Sequence, residues 1–190
     1  ISSVVEAPIA DVKAQESSWQ SGCNDAAIVV LSRAGSESND ASLYNDDGNH
    51  YLGLSDNEAD LMAYLQSQKE AGVFGSIIVL INSEQAMELD WLDDYGVDAC
   101  MLVGRPGTVG YTGVVNLMVG AANPSGRVVD TYAANSLSAP AVTYAGNNTQ
   151  QWTNLDWVGA NDPDWGADGT SESNWILYAE GIYTGYKYYE

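Results

Sequence analysis

Arg33, Glu37 and Asp40 stand within one short stretch, Ser32-Arg33-Ala34-Gly35-Ser36-Glu37-Ser38-Asn39-Asp40, among small residues that let a backbone come close to a ligand. A carboxyl group held in such a place with its proton affinity raised by burial can protonate a leaving oxygen. Once deprotonated, the same group can activate water. Glu37 has the reach for this work, with Arg33 and Asp40 as the substrate-binding candidates that could also tune it. Spacing by itself does not separate that role from the ordinary one, in which Glu37 and Asp40 are surface loop residues and Asp40 caps a turn.

The elements before and after this stretch say where it sits. Ala26-Ala27-Ile28-Val29-Val30-Leu31 is a short apolar, β-branched run of the kind that forms a strand covered on both faces. Ser55-Asp56-Asn57-Glu58 reads as a capping box, and Ala59, Leu61, Met62 and Leu65 recur at helical spacing until Gly72. A second apolar run, Ser76 to Ile81, precedes a shorter helical stretch at Met87 to Asp93. A third, Ala99 to Val103, precedes a helical pattern from Val109 to Val119. Cys100 lies inside the third run, where a buried inert thiol is expected.

Alternation of strand and helix predicts an α/β fold: a doubly wound, mostly parallel sheet flanked by helices as a three-layer sandwich. In such a sheet the connections leaving the carboxyl ends of the strands share one edge. Residues 32–54, 82–87 and 104–110 should therefore meet, and function should be sought there. Residues 1–20 lack sustained periodicity and read as a linker or packing arm. Residues 21–190 read as a single domain with an irregular Trp-, Asn- and Gly-rich extension at 133–175, and the alternating, tyrosine-rich end from Trp175 to Glu190 suits a terminal strand or two.

Composition narrows the functions. The chain has 190 residues, 45% of them apolar, which is enough for one domain with a real core. Its 26 acidic residues face 6 basic ones, a net charge of −20 that would repel nucleic-acid backbones and anionic lipid. No apolar run approaches the roughly 18 to 20 residues of a membrane span, and residues 1–20 lack the order of a signal peptide. Nucleic acid and membrane are thus poor partners, and the substrate is expected to be neutral. One histidine and two cysteines do not assemble a structural zinc site, so neither metal nor cofactor is expected, and whether Cys23 and Cys100 pair stays open.

Other features have bland readings. Trp152, Trp157, Trp165 and Trp175 could offer sugar platforms, although packing is the commoner fate of such rings. Asp162, Asp164 and Asp168 fail the spacing of a calcium loop. Asn147-Asn148-Thr149 is a lone glycosylation triplet. His50, in Asp46-Asp47-Gly48-Asn49-His50, reads as a solvated loop histidine, and Gly104 to Gly110 lacks the Lys-Ser/Thr of a phosphate loop and reads as a turn into the third helix.

The order of several blocks resembles the C-terminal α/β sandwich domain of glycoside hydrolase family 3, the family of β-glucosidases and related exo-acting enzymes. The blocks are Leu31 to Asp40, Leu54-Ser55-Asp56-Asn57-Glu58, Asn123-Pro124-Ser125-Gly126-Arg127 and Tyr178 to Glu190. The resemblance implies a retaining β-glycosidase acting on an oligosaccharide or β-glycoside. In it Glu37 matches the acid/base, Asn123 to Arg127 matches a structural turn, and a TIM-barrel domain of the same polypeptide brings the nucleophile. It also implies a secreted or cell-surface bacterial protein, and a 190-residue piece that is inactive by itself. Gly35-Ser36-Glu37-Ser38 stands where many members have Ser-Gly-Glu-Gly, so local contacts are expected to differ. A non-catalytic carbohydrate-binding or interdomain packing module is the alternative from another class.

Overall fold

The structure, a computed structural model, describes residues 8–22, 25–34, 41–143, 145–146, 175–176 and 180–189. Glu37, Asp40, Cys23, Trp152, Trp157, Trp165, the aspartates at 162, 164 and 168 and the triplet at 147–149 lie outside the described residues. The chain falls into two compact units, residues 1–134 and 135–190.

In the first unit, α1 (Ile9–Ala14) and α2 (Glu16–Gly22) occupy the segment read as a linker or packing arm. Trp19 of α2 packs against the core and meets the Tyr64 ring edge to face at 6.3 Å between centroids. The sheet follows: β1 (Ala26–Ser32), β2 (Ser76–Asn82) and β3 (Ala99–Leu102), all parallel and ordered β1-β2-β3. Ile28 lies opposite Ile78, and Ile78 opposite Ala99. This is the α/β architecture that the alternating pattern predicts.

Helix α3 (Asp56–Glu70) connects β1 to β2 and begins as its sequence dictates. The Ser55 hydroxyl accepts from the Glu58 N–H at 3.3 Å, and the Glu58 carboxylate accepts from the Ser55 N–H at 2.9 Å. Two N–H groups that the first turn leaves without helical partners are thereby satisfied. The helix lays Met62 and Leu65 against Val29, Leu31, Ile77, Val79 and Ile81, so one face of the sheet forms the core. Each such side chain contributes about 1.5–3 kcal/mol of transfer free energy.

Two expectations need correction. The helix expected at Met87 to Asp93 is a single 3-10 turn, Asp90–Leu92. A continuing α-helix would send the Leu92 N–H to the Glu88 carbonyl, but that carbonyl accepts the Trp91 indole N–H at 2.7 Å and Leu92 turns to Leu89 instead. Tertiary burial of Trp91 and Met87 has overridden the local pattern. The second correction concerns burial. β1, expected to be covered on both faces, leaves Ile28 and Val30 about half exposed, and β3, expected to hold a buried thiol, is among the described residues an edge strand with three of its four residues exposed and Cys100 an exposed free thiol.

Helix α4 (Gly107–Met118) follows β3 and starts two residues earlier than its apolar pattern suggests, with Gly107, at φ +63°, as its first residue. In the second unit, Asn135 caps a short 3-10 turn by accepting from the Leu137 N–H at 2.9 Å, and Ala145–Gly146 pairs antiparallel with Trp175–Ile176. Of the expected terminal strand, the described residues show Trp175–Ile176 as strand, whereas Tyr186–Tyr189 is helical, preceded by Gly181 and Gly185 in the left-handed region that breaks a strand. Among the described residues no helix is long and apolar enough to cross a membrane.

Candidate functional site at the carboxyl edge of the sheet

The three connections expected to converge do so. Asn82, at the end of β2, donates to the Ser32 hydroxyl at the end of β1 at 3.3 Å. The Glu88 N–H donates to the Leu52 carbonyl at 2.9 Å, tying the β2–β3 connection to the β1–α3 connection. Arg105, beyond β3, reaches Glu84 at 3.2 Å. Parallel strands deliver all three connections to one edge because each strand runs in the same direction.

Arg33 organises this edge. Its Nε donates to the Tyr51 carbonyl at 2.5 Å and its Nη1 to the Ser32 carbonyl at 2.8 Å, while Nη2 donates to the Gly53 carbonyl. The remaining donors form a parallel pair with the Glu58 carboxylate at 2.8 and 2.7 Å. A guanidinium has five N–H donors, so all are taken. The side chain is 6% exposed and lies 5.9 Å from the Tyr51 ring centroid. Arg33 was read from sequence as a substrate contact, yet as placed it spends its donors on holding residues 51–58 against the end of β1.

Glu58 therefore does two jobs, capping α3 and neutralising Arg33. Its charge lies near the helix N-terminus, where the backbone dipoles favour an anion. Tyr51 adds a further tie, its hydroxyl donating to the Ala34 carbonyl at 2.7 Å.

His50 was read as solvated. Instead it is half-buried and its Nδ1 lies 2.8 Å from the buried Glu88 carboxylate. Gly53 makes this contact possible: a Cβ there would lie 2.9 Å from Glu88 Oε2 and 3.4 Å from the His50 carbonyl. The backbone at Gly53 is not in the left-handed region, so space rather than dihedral freedom selects glycine. Nothing local in the sequence announces a pair separated by 38 positions.

Around these ties the surface is concave. A recess of about 150 Å³ is lined by Ser32, Arg33, Ala34, Asn45, Tyr51, Ser55 and Glu58. It shares Asn45, Tyr51 and Ser55 with a larger cavity of about 390 Å³ that extends to Ser42, Tyr44, Asp46, Asp47 and Asn57. In that cavity Asp47 serves as a backbone acceptor: the Asp56 N–H first, then the Asn49 N–H, hold its carboxyl below the usual carboxylate range. The described chain leaves this edge at Ala34 and returns to it at Ala41, and Glu37 and Asp40 belong to the intervening residues outside the described set. Among the described residues no three metal-ligating side chains cluster.

The Glycosyl hydrolase family 3 C-terminal domain matches residues 7–186. A β-glucosidase of Ruminococcus albus is similar over 167 residues at 25% identity, covering 88% of this chain and 14% of the relative. This chain thus spans about one seventh of that relative's length.

Proposed function

This chain belongs to glycosyl hydrolase family 3, whose C-terminal domain it constitutes, and we propose that it supplies Glu37 as the general acid/base of a retaining, exo-acting β-glycosidase. Glu37 protonates the glycosidic oxygen as the bond to the leaving group breaks. A carboxylate of a partner barrel domain, lying outside these 190 residues, takes the anomeric carbon as a glycosyl ester. Glu37, now ionised, then removes a proton from water, which attacks that carbon and releases the sugar. No metal or organic cofactor enters this sequence.

The observation that supports the reading most is the anchoring of the chain on both sides of Glu37. On the near side, Ser32 and Arg33 are fixed by the ion pair to Glu58 and by carbonyls of residues 51 and 53. On the far side, residues 44–56 are fixed by the Tyr44–His50 bridge, the His50–Glu88 pair and the Asp47 turn. A proton donor must be held to within a fraction of an ångström of its oxygen, and rigid flanks favour this.

The retaining chemistry requires two carboxyl groups about 5–5.5 Å apart across the bond. With the second one on another domain, the isolated 190-residue chain should show no turnover. The reading is tested in the full-length protein with Glu37→Gln: hydrolysis of glycosides with poor leaving groups should collapse, while activated aryl glycosides keep most of their glycosylation rate. Equal rates for wild type and variant on both substrate types would remove Glu37 from the mechanism and leave a carbohydrate-binding or packing module.

A further inference from the structure

The chain that returns to the carboxyl edge after Glu37 folds as a hairpin. Leu43, six positions after Glu37, accepts from the Tyr51 N–H at 2.9 Å. Asn45 donates to the Asn49 carbonyl at 2.8 Å, Gly48 donates back to the Asn45 carbonyl at 3.0 Å, and Tyr44 and His50 are bridged between the two arms. A two-stranded hairpin is marginal in water by itself, so its place depends on what grips it from outside. Several grips end close by: Tyr51 is held by Arg33 and Ala34, and Asp47 and Asn49 reach Asp56, the first residue of α3. His50 reaches further.

It crosses to the β2–β3 connection, where its Nδ1 lies 2.8 Å from the Glu88 carboxylate. Glu88 is itself fixed. Its carbonyl accepts the buried Trp91 indole N–H at 2.7 Å, its N–H donates to the Leu52 carbonyl at 2.9 Å, and its neighbour Met87 is fully buried. An ionised carboxylate can only accept, so Nδ1 carries the proton of this bond, which holds the imidazole in one orientation. A buried polar pair adds little stability over an apolar pair of the same volume. What this one adds is a defined distance and direction between two connections.

The geometry points to His50 and Glu88 as positioning residues, which act on the acid/base step through the hairpin and not through substrate. The inference rests on the acid/base reading of Glu37. Loss of the pair frees the returning limb while the Arg33–Glu58 anchor on the near side stays intact. Proton transfer is sensitive to such a change, because a misplacement of about 1 Å costs on the order of a hundredfold in rate. Glycosides that need a proton on the departing oxygen feel that loss. Those whose leaving group departs as a stable anion do not.

The test uses the full-length protein and a series of substituted-phenyl β-glycosides whose phenols run from strongly to weakly acidic, with kcat/KM read for each. In His50→Leu, kcat/KM should fall roughly ten- to hundredfold for the least acidic phenols and less than about threefold for the most acidic, so that the dependence on leaving group steepens. A purely structural role lowers the folded fraction and scales every substrate by one factor, leaving that slope unchanged. His50→Asn keeps an N–H donor close to the place of Nδ1–H and should return the slope most of the way to wild type. Adding Glu88→Leu to His50→Leu should steepen it no further, because the pair acts as one unit. A slope in His50→Leu equal to that of wild type, one common factor across the series, or equal slopes in His50→Leu and His50→Asn would each overturn the positioning role. Glu37→Gln in the same series separates the two readings. If it steepens the slope and His50→Leu does not, the acid/base reading stands and the positioning role falls. If Glu37→Gln leaves the slope unchanged, the acid/base reading fails and the positioning role falls with it.

Discussion

Arg33 and Glu58 meet through two parallel hydrogen bonds of 2.8 and 2.7 Å, with side chains 6% and 14% exposed, and this pair joins the end of β1 to the first turn of α3. Because the two charges are withdrawn from water, the pair matters more through what its loss would strand than through its own attraction.

Removing one partner should therefore be costly. Glu58→Ala leaves the guanidinium unneutralised and also breaks the capping box at Ser55. A destabilisation of about 3–5 kcal/mol is expected from urea unfolding of the 190-residue chain. Arg33→Lys should itself cost part of this stability, because one ammonium cannot reach the carbonyls of Tyr51 and Gly53 and the carboxylate together. A loss below about 1 kcal/mol for Glu58→Ala would show that the pair is solvent-exposed in solution.

Space rather than dihedral freedom governs Gly53. An added methyl would meet Glu88 Oε2 at 2.9 Å, so Gly53→Ala should push the carboxylate off His50 and destabilise by about 1–3 kcal/mol. In a Glu88→Ala background the same change should be nearly neutral, within about 0.5 kcal/mol, because the obstructing oxygen is gone. Additive effects in the double variant would contradict the proposed contact.

Acid should loosen the far end of α3. Asp98 accepts from Lys69 Nζ at 2.6 Å and from the Ile77 N–H at 2.8 Å, and these contacts, the lysine first, hold its carboxyl below the ordinary value of 3.8. A depressed folded value means stability that is present above pH 3.8 and lost as pH falls through the folded value. Unfolding free energies of wild type and Asp98→Asn should differ by a constant amount above about pH 5 and converge as acid protonates Asp98. A difference independent of pH down to about pH 2 would contradict the assignment.

Much of this architecture is written locally, and the remainder is not. β1, β2 and the Ser55–Glu58 capping box are legible because each is decided by neighbours a few positions away. Convergence of the strand-end connections follows from parallel pairing, a consequence of the alternating pattern. The stretch at Met87 to Asp93 misleads because its helical spacing yields to burial of Trp91, whose indole takes the carbonyl that a helix would need. Cys100 misleads because an apolar run does not say whether its strand lies in the middle of a sheet or at its edge. The partners of Arg33 and His50 lie 25 and 38 positions away, distances at which only the fold decides what meets. For the candidate site, position on the sheet edge was readable, whereas the cavity lined by residues 42–57 is a property of packing.

The most direct test of the central claim is azide rescue of Glu37→Ala in the full-length protein, using an aryl β-glycoside with a good leaving group that bypasses the acid step. If Glu37 is the acid/base, the variant should stall as a glycosyl-enzyme for want of a base, and azide should restore turnover and appear in the product as a β-glycosyl azide. A turnover rate unmoved by azide, or an azide product of α configuration, would contradict it.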